Sequence, residues 1–122
     1  MENIYEEIAK NLVTVLPENW EKVCLYCQLT KNSYEFFFYV KVDGNYIQNF
    51  DLEKSYKITR KEIRDCFKNL NTILRPDYES KNYYVMTFIL ANNGKFATEY
   101  EYKDYSEKSL EYKKTWKEKY LK

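Results

Sequence analysis

The run YEFFFYVKV, Tyr34 to Val42, leads straight into Asp43-Gly44-Asn45, and this junction constrains the fold more than any other stretch of the chain. Aromatic and β-branched residues suit a pleated, half-buried surface, and Asp-Gly supplies the positive-φ pair that a tight hairpin turn demands. The chain must therefore double back, with Asn45 to Phe50 as the returning strand. Ahead of it, Trp20 to Thr30 alternates and places Val23, Leu25, Cys27 and Leu29 on one side of another strand. A loop at Lys31 to Ser33 joins the two, so three antiparallel strands follow one another.

Helical periods flank this unit. From Glu2 to Leu16, apolar residues fall at Ile4, Ile8, Leu12 and Val15 or Leu16, which lines one helical face until Pro17 stops it. Between Thr59 and Leu74 the period returns through Ile63, Phe67, Leu70 and Leu74, with Thr59 and Glu62 as a capping box and Arg75-Pro76-Asp77 as the end. Asn82 to Ala91 reads as a central strand, Asn92-Asn93-Gly94 as a turn, and Lys95 to Lys103 as a last strand with Phe96, Thr98, Tyr100 and Tyr102 facing one way. From Ser106 the tail is helical, with Tyr105, Ser109, Tyr112, Trp116 and Tyr120 along one stripe and lysines elsewhere. The order α-β-β-β-α-β-β-α predicts an α+β fold on a mainly antiparallel five-stranded sheet with three helices. At this length residues 1–122 read as a single domain, without internal repeat or low-complexity linker. Phe37, Tyr39, Tyr84, Met86 and Phe88 point away from the alternate set in their strands, so both faces of the central strands are apolar and helices are expected over both.

Composition narrows the chemistry. The chain has 14 tyrosines and no histidine. Tyrosine couples a flat apolar body to one polar tip and is enriched where proteins hold other proteins, whereas histidine is the easiest general base and the commonest metal ligand. Twenty basic and 19 acidic side chains leave a net charge of +1, which gives no long-range attraction for nucleic acid or an anionic membrane. No apolar run reaches the roughly 20 residues that span a bilayer. The start MENIYEEIAK is acidic where a secretory signal would be basic and then apolar. The expectation is a cytoplasmic protein with no membrane partner and no cofactor, and three cysteines without framework spacing agree with a reducing compartment.

Cys24 and Cys27 match the C-x-x-C spacing of thiol redox centres, but three positions apart on a strand they point to opposite faces. They read as packing residues, and a zinc site completed by Cys66 and a carboxylate fares no better. Glu99 and Glu101 share a strand face within EYEYKDYSE, where acids alternate with tyrosines. The bland reading is a solvated face; the sharper one is a recognition strip of Glu99, Glu101, Asp104 and Tyr105 for a basic partner surface. Asp77, Tyr78 and Glu79 repeat the combination in the loop expected after the second helix and form a second candidate patch. No catalytic or metal-binding residue is assigned. An open aromatic sheet face could instead serve a small nucleic-acid- or ligand-binding domain, although the basic stripe and RNP-type motif of RNA readers are missing. An enzyme using carboxylates or a tyrosine would need a concave pocket with convergent polar groups.

Ile4, Tyr5, Glu7, Ile8 and Ala9, then Leu16, Pro17, Trp20, Lys22 and Val23, give the opening motifs I-Y-x-E-I-A and L-P-x-x-W-x-K-V. Y-x-D-x-S-E-x-S in Tyr102 to Ser109 and W-K-E-K-Y-L in Trp116 to Leu121 close the chain. In this combination, and with FFFYV between them, the sequence resembles the YezG/EsaG-type immunity proteins, or antitoxins, of bacterial polymorphic toxin systems. The resemblance implies a non-enzymatic protein that binds and neutralises a cognate toxin domain, often a nuclease, as in contact-dependent growth inhibition. It implies no direct nucleic-acid binding, and the free protein is expected to be a monomer or a homodimer. Many such inhibitors are markedly acidic, and this chain departs from them in being nearly neutral.

Overall fold

The computed structural model describes residues 3–122. Helix α1 spans Ile4–Val13 and is capped by Asn3, whose side chain accepts the Glu6 N–H at 3.0 Å. Glu2, the expected first residue of this helix, lies outside the described residues. Strands β1 (Lys22–Leu29), β2 (Tyr34–Val42) and β3 (Asn45–Gln48) follow. The turn at Asp43 and Gly44 has φ of 51° and 80°, the two positive values that a two-residue hairpin requires. Strands β4 (Val85–Ala91) and β5 (Phe96–Glu101) complete a five-stranded sheet of order β3-β2-β1-β4-β5 in which every pair is antiparallel.

The helices depart from expectation in two places. Among the described residues there are four α-helices rather than three, because a short α2 (Leu52–Tyr56) follows a 3-10 turn at Asn49–Asp51. It has no side-chain cap and buries Leu52 alone, so it offers neither of the signals by which a helix is read from sequence. The turn also cuts β3 short at Gln48 instead of Phe50. Helix α3 begins as read, with Thr59 and Glu62 forming the capping box, but runs from Arg60 to Lys81 with Pro76 inside it. Asp77, Tyr78 and Glu79 are therefore helical and not a loop. An interior proline removes one ladder hydrogen bond and costs about 3 kcal/mol. Burial of Leu74, packing of Tyr78 on the core and closure by Asn82 in the left-handed region, its N–H on the Tyr78 carbonyl at 2.7 Å, offset that cost.

Both faces of the sheet are covered. On the first face α1 and α3 pack over Val23, Leu25, Cys27, Phe38, Val40, Met86 and Phe88, with Ile8, Leu12, Leu70 and Leu74 pressed against them. On the second, α4 (Ser109–Tyr120), entered through a 3-10 turn at Ser106–Lys108, covers Cys24, Tyr26, Phe37 and Val85. Its stripe of Tyr112, Trp116 and Tyr120 meets the sheet as the spacing predicts. Phe37, Tyr39 and Tyr84 share this second face, whereas Met86 and Phe88 belong to the first. Within its own segment Tyr84 parts from Met86 and Phe88, because Tyr84 and Val85 both pack toward α4, which shifts the phase just before β4.

Trp116, 2% exposed, anchors α4. Its indole N–H donates to the Thr87 hydroxyl at 2.9 Å, and its ring stands edge-on to Tyr26, which itself stacks on Phe37 at 4.4 Å. The aromatic face that could have served as an open platform thus lies beneath a helix, with Tyr26 and Phe37 buried.

Candidate functional site

A cleft of about 340 Å³ opens between β5 and α4. Its floor is Thr87 and Trp116, one wall carries Glu99 and Glu101, and the other carries Tyr112, Lys119 and Tyr120. The register Thr87↔Glu99 and Val85↔Glu101 puts both acids on the α4 side, as the two-residue period of a strand requires.

Glu99, Glu101 and Tyr105 of the strip line this cleft, whereas Asp104 precedes Tyr105 without lining it, and the four are not equivalent. Glu99 pairs with the Lys119 ammonium at 3.0 Å and accepts a hydrogen bond from the Tyr120 hydroxyl. That hydroxyl first, and the lysine second, hold its carboxyl below the usual range. Glu101 accepts the Lys103 N–H at 3.0 Å, and Asp104 accepts the Ser106 N–H at 2.7 Å, which holds the Asp104 carboxyl down. Among the described residues neither forms an ion pair. Tyr105 stacks on Tyr112 with centroids 4.6 Å apart and planes within 20°, and Tyr84 stands behind both. Burial pushes the Tyr112 phenol upward, so the group stays neutral. The Tyr84 hydroxyl is buried without a hydrogen-bond partner among the described residues.

The second patch is placed elsewhere. Asp77 pairs with Lys81 at 2.9 Å, Tyr78 packs edge-on to Tyr83 beneath the Arg75 guanidinium, and only Glu79 faces solvent freely. These residues sit on α3 over the first face, so the structure does not bring them together with the strip. Between the two lies β5, whose Tyr100 receives the Lys81 ammonium over its ring at 4.8 Å. Lys108, Glu111, Tyr112 and Tyr120 line the cleft without having been singled out as site residues. The tail stripe located the two tyrosines, but a stripe of rings reads as packing until the groove beside it is seen.

The cysteines occupy core positions. Cys27 lies under α3 and Cys24 under α4, on opposite faces as their spacing requires, and all three are free and buried. Burial drives the Cys27 thiol well up and Cys66 to about 12, the reverse of what a reactive thiolate needs. Among the described residues no group of three histidine, cysteine or acidic side chains is placed to hold a metal ion. No helix among them is long and apolar enough to cross a membrane.

The family model described as "Immunity protein YezG-like" matches residues 1–122. The chain belongs to the YezG-like immunity protein family. Among curated proteins it is similar to Immunity protein YezG of Bacillus spizizenii (strain ATCC 23059 / NRRL B-14472 / W23), 25% identical over 116 residues, which cover 85% of this chain and 70% of the relative. Immunity protein YezG of Bacillus subtilis (strain 168) is likewise 25% identical, over 113 residues covering 85% and 74%. Immunity proteins are inhibitors and not enzymes, so this member of the YezG-like family works by binding, and its family implies a toxin as the bound partner.

Proposed function

We propose that this YezG-like immunity protein neutralises a cognate toxin domain, a nuclease, in the cytoplasm of its producer by covering it in a stoichiometric complex. Residues 1–122 act as one domain, within a polymorphic toxin system such as one of contact-dependent growth inhibition. The β5–α4 cleft is the main contact, formed by Glu99, Glu101, Asp104 and Tyr105, with Asp77, Tyr78 and Glu79 as a lesser patch to which Glu79 contributes the free charge.

One observation carries this reading: Glu101, which forms no ion pair among the described residues, lines one cleft with the stacked Tyr105 and Tyr112, and Asp104, likewise without one among them, precedes Tyr105 in the chain. A nuclease must hold a polyanion and so presents a basic cleft. Unpaired acids beside rigid rings complement such a surface, because the rings slow dissociation and the charges speed encounter.

The test is association of the purified protein with the toxin domain encoded beside it, measured across ionic strength. Glu101→Lys with Asp104→Lys is expected to slow association about tenfold at low salt and to flatten its salt dependence. Unchanged kinetics would remove the strip from the interface. Labelled RNA and DNA are expected to show no affinity for the isolated protein at low salt, where even nonspecific binders are detected.

A further inference from the structure

Strand β2 is longer than its neighbour on one side. β1 accompanies it from Lys22↔Lys41 to Leu29↔Tyr34, whereas β3 reaches only from Val42↔Asn45 to Tyr39↔Gln48. Where β3 stops, the buried Asn49 side chain takes over and accepts the Phe38 N–H at 2.9 Å. That hydrogen bond fixes a direction. The Phe38 amide points away from β1, and since main-chain groups alternate along a strand, Tyr34 and Phe36 present theirs at the same edge. Among the described residues no other strand lies along it, because β3 and β5 are the outer members of the sheet and β3 has ended.

Beside this edge, on the α4 side, runs a groove of about 470 Å³. Phe37 and Tyr39 form its floor, and Phe50 and Leu110, 68% and 83% exposed, stand over it. Lys113, Lys114 and Lys117 line it against a single acid, Glu35, which pairs with Lys113. Lys117 lies over the Tyr39 ring at 5.6 Å, and Lys114 makes no ion pair among the described residues. Lysines alone beside an open edge would be a guard against unwanted pairing. Two large apolar side chains held in water next to them are not, and they mark a surface meant to be covered.

We propose that this groove is a second docking surface, which takes an extended acidic segment of the toxin partner. The segment lies along Tyr34 to Phe36, adds its main chain to the sheet there, inserts an apolar side chain between Phe50 and Leu110, and sets carboxylates against Lys113, Lys114 and Lys117. Strand addition gives affinity through main-chain hydrogen bonds and specificity through alternate side chains. A second copy of this chain is disfavoured as occupant, because edge-to-edge pairing about a two-fold axis would bring like lysine rows together. The proposal rests on the reading of the protein as a toxin inhibitor, but its surface is distinct from the β5–α4 cleft and opposite in charge.

The probe is a capped seven-residue peptide with glutamate at positions 2 and 6, phenylalanine at position 4 and threonine elsewhere, so that all three share one strand face, compared with the same peptide carrying lysine for glutamate. Titrated into the isotope-labelled full chain, the acidic peptide is expected to shift the amides of Tyr34 to Phe38 and slow exchange of the Phe36 N–H, with the lysine peptide at least about tenfold weaker. Leu110→Asp and Lys114→Glu, both at exposed positions, are each expected to weaken the acidic peptide about tenfold without lowering Tm. Equal binding of the two peptides, shifts confined to other surfaces, or an unprotected Phe36 amide would overturn the proposal. So would concentration-dependent broadening of the same amides without peptide, which would assign the groove to a second copy. In the toxin complex, the two groove variants are expected to speed dissociation, whereas the Glu101 and Asp104 reversals slow association. A complex that forms normally and ignores the groove variants would sink this proposal alone and leave the inhibitor reading standing.

Discussion

On one face of the sheet, a 22-residue helix with a reciprocal cap and a second helix beside it press aliphatic side chains into a continuous core. On the other, a 12-residue helix with no side-chain cap rests on rings around one buried indole, with charged contacts only at its margins. The difference teaches where each part of the work is done. Leucines and isoleucines interdigitate to crystal-like density and leave nothing for a partner to grip. Rings meeting edge to face leave their margins open, and a single narrow helix leaves sheet uncovered on both of its flanks. The acidic cleft lies on one flank of α4 and the basic groove on the other. The first face is frame, and the second is where contact surfaces can be built.

The strongest way to break this comparison is to injure the frame. Leu70, on the sheet-facing side of α3, is fully buried, so Leu70→Ala should cost about 2–5 kcal/mol through lost transfer energy and a residual cavity. Urea unfolding should show a lower midpoint for both faces together. A loss confined to the first face would mean that the two sides are not one cooperative unit. A smaller effect is expected at the indole. Trp116→Phe keeps most of the ring packing but removes the donor to Thr87, leaving a buried hydroxyl without its partner at a cost of about 1–3 kcal/mol. Hydrogen exchange in α4 should accelerate more than in α3, and uniform acceleration would deny α4 its separate, weaker attachment.

The frame was more legible in the sequence than the candidate contact surfaces, and particular residues show why. Asp43-Gly44 and the Thr59/Glu62 box are local, each completed within four residues, so tertiary structure had little to add. The stripe of Tyr112, Trp116 and Tyr120 is periodic and foretold a helix over the second face. Pro76 misled because its effect on the helix depends on whether packing beyond it repays the broken ladder, and Leu74 and Tyr78 lie in contacts distant in sequence. At the candidate site, the shared face of Glu99 and Glu101 follows from strand geometry alone. That Lys119 and Tyr120 claim Glu99 while Glu101 stays without an ion pair depends on where α4 lands. Leu110 gave one faint signal, as an apolar residue off the tail stripe, but only the stopped β3 beside it gives that exposure a meaning.

The caps offer a finer probe. Thr59→Ala removes the side chain that accepts the Glu62 N–H at 3.1 Å and should lower stability by about 1 kcal/mol, read as a shift in urea midpoint at constant m. If α3 is the frame, the loss should appear in global stability and leave the association rate with the toxin domain unchanged.

The smallest effect sharpens the comparison most, because it couples the second face to pH. The Tyr120 hydroxyl and Lys119 hold the Glu99 carboxyl below its ordinary value when α4 is docked. A carboxyl depressed in the folded state contributes stability that is complete above its unfolded pKa and is lost as pH falls through the folded one. Glu99 is half exposed, so solvent screening limits the contribution to less than about 1 kcal/mol. Acidification through the carboxylate range should therefore loosen α4 before it unfolds α1 and α3, which hydrogen exchange would resolve helix by helix. Glu99→Gln removes the charge that Lys119 and Tyr120 recognise and should abolish this part of the pH dependence while leaving the neutral-pH fold intact. If the variant loosens α4 on acidification as much as the wild type does, Glu99 is not the group that couples the helix to pH, and the Glu35–Lys113 pair, the other carboxylate contact that ties α4 to the sheet, is the one to remove next.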